Sequence, residues 1–368
     1  MGTQMSDPKM VFAKNLERAR KRLGISQDRL AKDVGLTRQA IYKYEKGDVN
    51  PSMDAVFRLA SQLKVDVEYF FQYRSEREDF NRWLEIIDFT PCEALTQVNY
   101  REQQKLTPES TEKVKNDTYK ELIKLLAIEE ITNDKIDFRN PIDNIPVRNR
   151  EDAEKAALEV RKKWQLYDNP VTNVINLLES KGIRVFEVNA DENFQGLSAR
   201  YGNLPIIVLN FKMQEVTRKR FTALHELGHL ILQITEGIDH ETIEKICDAF
   251  AATMLLPKQL LILELGGRRH SLGPVEILRL KAMYGISVQA ILVGAFSARI
   301  IEYAEYLRLT NTVSNRSVAY RMLEHPTRFR QLLTKALAEG MVDARKVTSL
   351  KSGAILDDIP HNLITAAL

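Results

Sequence analysis

The chain has 368 residues, which is too long for one ordinary hydrophobic core and indicates two or three domains. Hydrophobic residues make up 44% of it and charged residues 28%, a balance that excludes an intrinsically disordered protein. The formal net charge of +3 is too small to indicate a partner for the chain as a whole.

Cysteine usage and hydropathy bear on the compartment. The two cysteines, Cys92 and Cys247, lie far apart and form no disulfide framework, which favours a reducing compartment. Residues 1–12 lack a long apolar run, so we expect no signal peptide. No stretch approaches the roughly 18 uninterrupted apolar residues of a membrane span. We therefore expect a cytoplasmic protein without membrane contact.

The first predicted domain covers residues 10–72, where helical periodicity is dense. Ser26 is suited to cap a short helix, and Gly35 then allows a tight turn. Thr37 is suited to cap a second short helix, which Gly47 would end. Five residues are expected to form the buried seam between these helices: Leu30, Ala31, Val34, Ile41 and Tyr44.

Polar side chains on the second of these helices face away from the seam. A helix-turn-helix places such positions against base edges in the major groove, where Gln can pair with adenine and Arg with guanine. Nine basic residues stand against three acidic ones between Arg18 and Lys46, which suits a phosphate-facing surface but also a merely solvated helix face. The residues predicted to contact DNA are Gln27 (through a phosphate), Thr37, Arg38, Gln39, Tyr42 and Lys43.

Residues 12–71 resemble the lambda-repressor-like domain of the XRE family. The resemblance includes Asn50-Pro51-Ser52 before a further helix and residues 63–70 at the end. It implies a five-helix domain that binds an operator in double-stranded DNA as a homodimer. A small helical bundle that binds protein instead of DNA is the alternative.

The pattern changes after this domain. Residues 73–149 alternate charged runs with short apolar patches, which predicts a partly helical connector. Beyond it, two strands are predicted at 183–188 and 204–210, and Pro205 places the second near an edge or leaves its first residue unpaired. One helix is predicted to start at Arg150, and three more are predicted at about 169–180, 215–234 and 241–255. The remainder, to about residue 350, is helical by its pattern.

One short motif carries the chemistry of this region. His225 and His229 are four residues apart, so a helix would place both imidazoles on one face, able to share a metal ion. Glu226 would lie at the edge of that face, where it can hold a water molecule and take its proton. Gly228 lets a neighbour approach closely, and the run 221–234 is strongly apolar, which excludes water. Two partly buried core histidines are the alternative.

A catalytic zinc site needs a third protein ligand. The three-histidine pattern is excluded, because Thr235 stands six residues after the second histidine. Glu244 is favoured, with Asp248 one turn further along the same face, where it could accept the outer N–H of a ligand histidine. Three rival ligands lie in the predicted loop between the two helices: Glu236, His240 and Glu241.

Three further side chains near the motif stay open. His270 and Tyr201 could donate to an oxyanion, but no pattern selects either of them. Cys247 is most simply a small buried residue, with a redox role as the less favoured interpretation.

Glu-x-x-x-Asp on the helix after His-Glu-x-x-His is similar to the gluzincin arrangement of thermolysin-like enzymes. Residues 150–260 resemble the ImmA/IrrE metallopeptidases. One departure is Cys247, since the family usually has Ala at this position. The resemblance implies a zinc-dependent endopeptidase domain whose strand 206–210 borders the cleft and pairs with an extended peptide. It rests on Trp164, 182–185, 196–198, 206–210, 220–229 and 248–257.

Together these patterns predict a mainly α protein with a small β-sheet, an α+β fold. It would combine a helix-turn-helix domain, a zincin-like domain of the gluzincin type and a helical extension. The predicted boundaries are 10–72 for the DNA-binding domain, 73–149 for the connector, 150–265 for the metallopeptidase domain and 266–368 for the extension.

Three functions are compatible with this organisation. Stand-alone relatives cleave XRE-type repressors under stress or during mobile-element transfer, so the resemblance implies a regulator that cuts a repressor-type partner or its own connector. Alternatively, the peptidase-like fold is a non-proteolytic sensor or antitoxin module that binds a partner, such as a toxin. In the third, a protease docks its substrate through the helix-turn-helix. The intact metal motif favours the first.

Overall fold

The structure of the protein is a computed structural model. It describes residues 8–23, 25–71, 95–100, 107–213, 215–313, 320 and 322–342. These residues hold fourteen α-helices, one 3-10 helix and six β-strands, which confirms the predicted α+β class. The part of the predicted connector before Leu95 and the last residues of the predicted extension lie outside the described residues.

The N-terminal domain consists of four α-helices and a short 3-10 helix. They are α1 (Pro8–Arg22), α2 (Gln27–Asp33), α3 (Arg38–Lys46), α4 (Met53–Leu63) and the 3-10 helix Val67–Phe70. The core between them is small but complete, and it holds the seam predicted between α2 and α3. The five expected helices are therefore present, the last of them as a 3-10 turn.

The predicted capping residues set the ends of α2 and α3. Ser26 Oγ accepts a hydrogen bond from the Arg29 backbone N–H at 3.1 Å, and Thr37 Oγ1 accepts one from the Ala40 N–H at 3.1 Å. Gly47 ends α3 in the left-handed conformation at φ 73°, which favours glycine. These caps fix the direction in which α3 leaves the turn.

The rest of the described chain forms a second, larger unit around a small sheet. Among these residues, no single helix is long and apolar enough to cross a membrane, although two bent helix pairs meet that test by length and composition. The first elements of this larger unit are β1 (Leu95–Tyr100), α5 (Pro108–Ile131), β2 (Pro146–Val147), α6 (Arg150–Lys163), α7 (Val174–Ser180), β3 (Arg184–Val188), β4 (Gly196–Tyr201) and β5 (Leu204–Asn210). They are followed by α8 (Val216–Ile231), β6 (Gln233–Ile234), α9 (His240–Leu255), α10 (Lys258–Leu265), α11 (Pro274–Tyr284), α12 (Val288–Ser297), α13 (Tyr303–Val313) and α14 (Arg328–Ala338).

The main sheet has the strand order β1-β4-β5-β3, and β2 pairs with β6 separately. Strand β4 is antiparallel to both of its neighbours, whereas β3 and β5 run parallel. The expectation that the strand at 206–210 pairs with a peptide is wrong, because β4 and β3 already occupy both edges of β5. The edge strands of the sheet are β1 and β3.

Helices cover both faces of the sheet. On one face, Ile207 and Leu209 join a core that contains residues of α6 to α13. On the other, Ile206 and Val208 join a core with α5 and α14. The first core continues across the predicted boundary at residue 265, so the helices that follow pack directly on the peptidase region; the domain boundaries stay a prediction.

Helix α8 is held in place by a buried ion pair with a residue far away in the sequence. Arg220 of α8 donates to the Glu324 carboxylate, which also accepts the backbone N–H groups of Val174 and Ile175, each at 3.0 Å. The ring of Tyr320 lies 4.6 Å from the Arg220 guanidinium. Since both charges are fully buried, each depends on the other for its compensation.

Candidate metal centre

Helix α8 carries the first two candidate ligands. It packs against the sheet so closely that a Cβ on Gly196 of β4 would lie 2.8 Å from Thr222 Cγ2. The apolar residues that flank the motif bury this helix, as the sequence predicted. His225 is fully buried, and the side chain of His229 is 7% exposed. Both imidazoles lie on the face of α8 that is turned to α9.

Helix α9 brings the carboxylate. Asp239 caps its start by accepting the Thr242 N–H at 3.0 Å, and Glu244 lies one turn into the helix. The two helices touch at Gly228, where an added Cβ would lie 3.2 Å from Cys247 Sγ and 3.4 Å from Cys247 Cα. The absence of a side chain at Gly228 therefore sets how near Glu244 comes to α8.

The three side chains converge. His225 Nε2 lies 3.1 Å from His229 Nε2 and 3.3 Å from Glu244 Oε2, and His229 Nε2 lies 3.1 Å from Glu244 Oε1. Tetrahedral ligands about 2.0–2.1 Å from a zinc ion lie about 3.3–3.4 Å from one another. This group of side chains could therefore hold a metal ion, and its spacing fits a single small cation.

The polarity of these atoms also fits a cation. Among the described residues, the buried Glu244 Oε1 has no hydrogen bond of normal geometry, although His229 Nε2 is in contact with it. Burial raises the pKa of the Glu244 carboxyl, but close contacts with His225 and His229 and the charges of these residues outweigh burial and hold that pKa below its usual range. The carboxyl group is therefore held as an anion that faces two ring nitrogens.

The outer nitrogens of the two rings face successive residues of α9. His225 Nδ1 lies 2.8 Å from Asp248 Oδ1, where the carboxylate accepts the Nδ1–H and so favours the tautomer whose Nε2 could bind a metal. His229 Nδ1 lies 3.6 Å from Cys247 Sγ. Burial raises the pKa of the Cys247 thiol well above its ordinary value, which fits the interpretation of Cys247 as a small buried residue.

Glu226 lies beside this group, and its side chain has no exposed surface. Burial raises the pKa of its carboxyl, while the charges of His225 and His229 and the Ser198 hydroxyl oppose that rise. Within the described part of the chain, neither of its oxygens forms a hydrogen bond of normal geometry. A buried carboxyl with a raised pKa beside a metal group is suited to proton transfer.

The rival positions lie elsewhere. Glu236, His240 and Glu241 are exposed at or near the start of α9, and the group that could hold a metal includes none of them. Tyr201 is buried in the core on the opposite face of the sheet, next to Tyr119. His270 is exposed in the segment between α10 and α11. The sequence assigns Ser198 no role of its own, because a serine on a short strand carries no signal of its partner.

The predicted DNA-contacting residues largely share one surface. Thr37, Arg38, Gln39, Tyr42 and Lys43 are all exposed at the start and along the outer face of α3. The exception is Gln27, which is half-buried. Its amide Nε2 donates to the carboxylate of Glu45 at 2.6 Å, and that carboxylate also binds Arg20. One of the two amide N–H groups of Gln27 is thus used within the domain.

Comparison with known proteins agrees with both halves of this geometry. A family model described as helix-turn-helix matches residues 16–70, and one of the peptidase M78 family, described as the IrrE N-terminal-like domain, matches residues 178–295. The second match contains the whole candidate metal group. The chain is thus a helix-turn-helix protein with an IrrE-like peptidase M78 domain.

Several curated relatives are similar to a short part of this chain. An uncharacterised HTH-type transcriptional regulator of Methanocaldococcus jannaschii is 36% identical over 14% of this chain and 79% of its own length. One of Archaeoglobus fulgidus is 35% identical over 16% of this chain and 81% of its own. For YqaE of Bacillus subtilis, 29% identity extends over 19% of this chain but only 60% of the relative. The chain belongs to the HTH-type transcriptional regulators, as the resemblance to the XRE family predicted.

The metal ligand on α9 and the residue of α9 that positions His225 can be separated by substitution. Glu244→Ala should abolish stoichiometric zinc binding, because it removes one of three ligands. Asp248→Asn keeps all three and should lower zinc affinity about 10- to 100-fold, since it weakens the hold on His225. Competition with a chromophoric chelator measures both affinities.

Glu241→Gln is the matched control, because Glu241 is an exposed acid on the same helix whose contact is a surface pair with Lys245. It should bind zinc as the unaltered chain does. Equal zinc affinity for Glu244→Ala and Glu241→Gln would contradict the assignment of the third ligand.

Proposed function

We propose that the chain is a transcriptional regulator that binds operator DNA through α3 and cleaves peptide bonds with a zinc-dependent endopeptidase centre. The observation that carries the proposal is the convergence of two imidazoles and one carboxylate beside a buried second carboxyl. A structural scaffold needs none of these four groups in this arrangement. The peptidase M78 match supports the same conclusion.

In the proposed site, His225, His229 and Glu244 would hold zinc. Zinc bound there would supply Lewis acidity, which polarises a carbonyl group and acidifies water. Asp248, 2.8 Å from Nδ1 of His225, would hold that imidazole in the tautomer that presents Nε2. Glu226 would take a proton from the attacking water and pass it to the leaving amine, and its burial favours this by keeping bulk water away.

The proposed substrate is a repressor-type protein or this chain itself. The DNA-binding domain would bring the peptidase to the control region of a stress-response, mobile-element or toxin–antitoxin locus. Cleavage of such a repressor, or of the connector that precedes β1, would then change expression. We further propose that the chain acts in the cytoplasm as a homodimer, as XRE-type domains do on palindromic operators.

A Glu226→Gln variant tests the chemistry. It should keep zinc, because Glu226 is not one of the three ligands, and lose cleavage by about 100-fold or more, because it cannot take a proton. The measurement is cleavage of the full-length chain and of a repressor encoded beside it, followed by mass spectrometry.

The control is Glu236→Gln, an exposed acid outside the metal group, which should cleave normally. Cleavage by Glu226→Gln at the unaltered rate would show that another group is the base. Metal-free protein on purification, with no cleavage by any form, would favour the non-proteolytic antitoxin.

Substitutions on α3 test the DNA-binding half. Gln39→Ala should cost about 1–3 kcal/mol at a duplex selected from a random library and relax its sequence preference. Lys43→Ala should weaken binding to all duplexes and reduce the salt dependence. Gln62→Ala, an exposed glutamine on α4, is the control and should bind as the parent does. Binding that α3 substitutions leave unchanged at fixed salt would contradict the assignment of α3.

A further inference from the structure

The outer edge of β4 is already occupied by a segment of the same chain. One edge of β4 pairs with β5, and the other pairs antiparallel with β1, from Leu95 opposite Tyr201 to Tyr100 opposite Leu197. Strand β1 lies more than ninety residues upstream, in the predicted connector to the DNA-binding domain. Within the described residues, β1 pairs with no strand other than β4.

Strand β4 runs directly along the helix that bears the metal motif. Its alternate residues face α8: Gly196 leaves room for Thr222, and Arg200 Nη2 donates to the Leu230 carbonyl at 2.7 Å. Ser198 lies midway between Gly196 and Arg200 on β4, as Glu226 lies midway between Thr222 and Leu230 on α8. A peptide added to the outer edge of β4 would therefore pass at the level of the proposed general base.

The register places β1 at that level. Asn99 lies opposite Ser198, and Thr96 lies opposite Arg200, so β1 advances three residues where β4 advances two. The extra residue makes a bulge-like irregularity, which loosens the ladder next to Ser198. Strand β1 thus occupies this edge with a pairing that is weaker than the regular β4–β5 ladder.

The metal centre is closed in this arrangement. His225 and Glu226 have no exposed surface, and the side chain of Glu244 is 12% exposed. A protein substrate must bring its scissile peptide bond to this buried centre. Some element of the chain therefore has to move before cleavage. An edge strand that pairs on one side only is the element that costs least to release.

We infer that the outer edge of β4 binds extended peptides by strand addition, and that β1 is its built-in occupant, which closes the site to other peptides. The inference rests on the proposed function, since it assigns the substrate edge of that peptidase. The ligand it names is an extended segment of about six residues, bound through its backbone as β1 is. Another peptide can bind only when β1 leaves.

The test uses the full chain with Glu226→Gln, so that bound peptide is not cut. Thr96→Pro/Asn99→Pro removes two backbone N–H groups from β1 and should release it from β4. A labelled peptide of residues 93–102 is the probe, and fluorescence anisotropy measures its binding. We expect at least ten-fold tighter binding to the proline variant than to the parent.

The matched control is Thr96→Val/Asn99→Ser, which keeps both backbone donors and should bind the probe as weakly as the parent. A scrambled peptide of the same composition should bind neither form more tightly. Equal affinity of the probe for the parent and the proline variant, or no binding to either, would overturn the inference.

Hydrogen exchange gives a second readout on the same proteins. Backbone amides of residues 196–201 should exchange faster in the proline variant and regain protection when the probe is added. Amides that stay protected in that variant, or that gain no protection from the probe, would overturn the inference. If the proline variant fails to fold by circular dichroism, Thr96→Gly/Val98→Gly takes its place, with the same expectations.

These results separate the inference from the proposed function. A chain that cleaves a repressor but does not bind the probe after β1 is released would refute the inference alone. In the opposite case, the proline variant binds the probe, but chains with Glu226 intact cleave nothing, with or without the proline substitutions. That result would refute the proposed function and leave the peptide-binding edge standing.

Discussion

The close approach of α8 and α9 at Gly228 is the constraint on which the candidate centre depends. Because Gly228 has no side chain, Cys247 packs directly on the backbone of α8, and Glu244, one turn earlier on α9, comes within 3.3 Å of both imidazoles. The buried pair of Arg220 and Glu324 fixes α8 about two turns before Gly228. The packing of the two helices therefore brings the three candidate metal ligands together, and no loop is needed to place them.

Helical spacing made the centre predictable, whereas its surroundings depend on contacts that are distant in sequence. The i, i+4 pair on α8 and the spacing of Glu244 and Asp248 on α9 are local, so the pattern indicates which side chains can share a face. The sequence does not predict strand β4, because that short stretch lacks a clear alternation. The family resemblance implies that the strand at 206–210 borders the cleft, and the neighbours of this strand cannot be read from its own residues. Glu324 lies 104 residues from Arg220, and nothing near either one signals the pair.

The predicted connector does more than join two domains. Its strand β1 belongs to the sheet, and α5 covers one face of that sheet with residues such as Leu122 and Ile128. On the proposed function, a substrate that displaces β1 would act on the segment that leads back to the DNA-binding domain. The same edge of β4 would then link substrate binding at the peptidase centre to DNA binding at the operator, which a simple tether could not do.

The central claim is that two imidazoles and one carboxylate bind a single zinc ion. X-ray absorption at the zinc edge of the zinc-loaded full chain tests it most directly, because nitrogen and oxygen ligands differ from sulfur in distance. The account predicts a shell of nitrogen and oxygen at about 2.0–2.1 Å that includes two imidazoles. A sulfur ligand at about 2.3 Å, which would be Cys247 or Cys92, or a shell with fewer than two imidazoles, would contradict it.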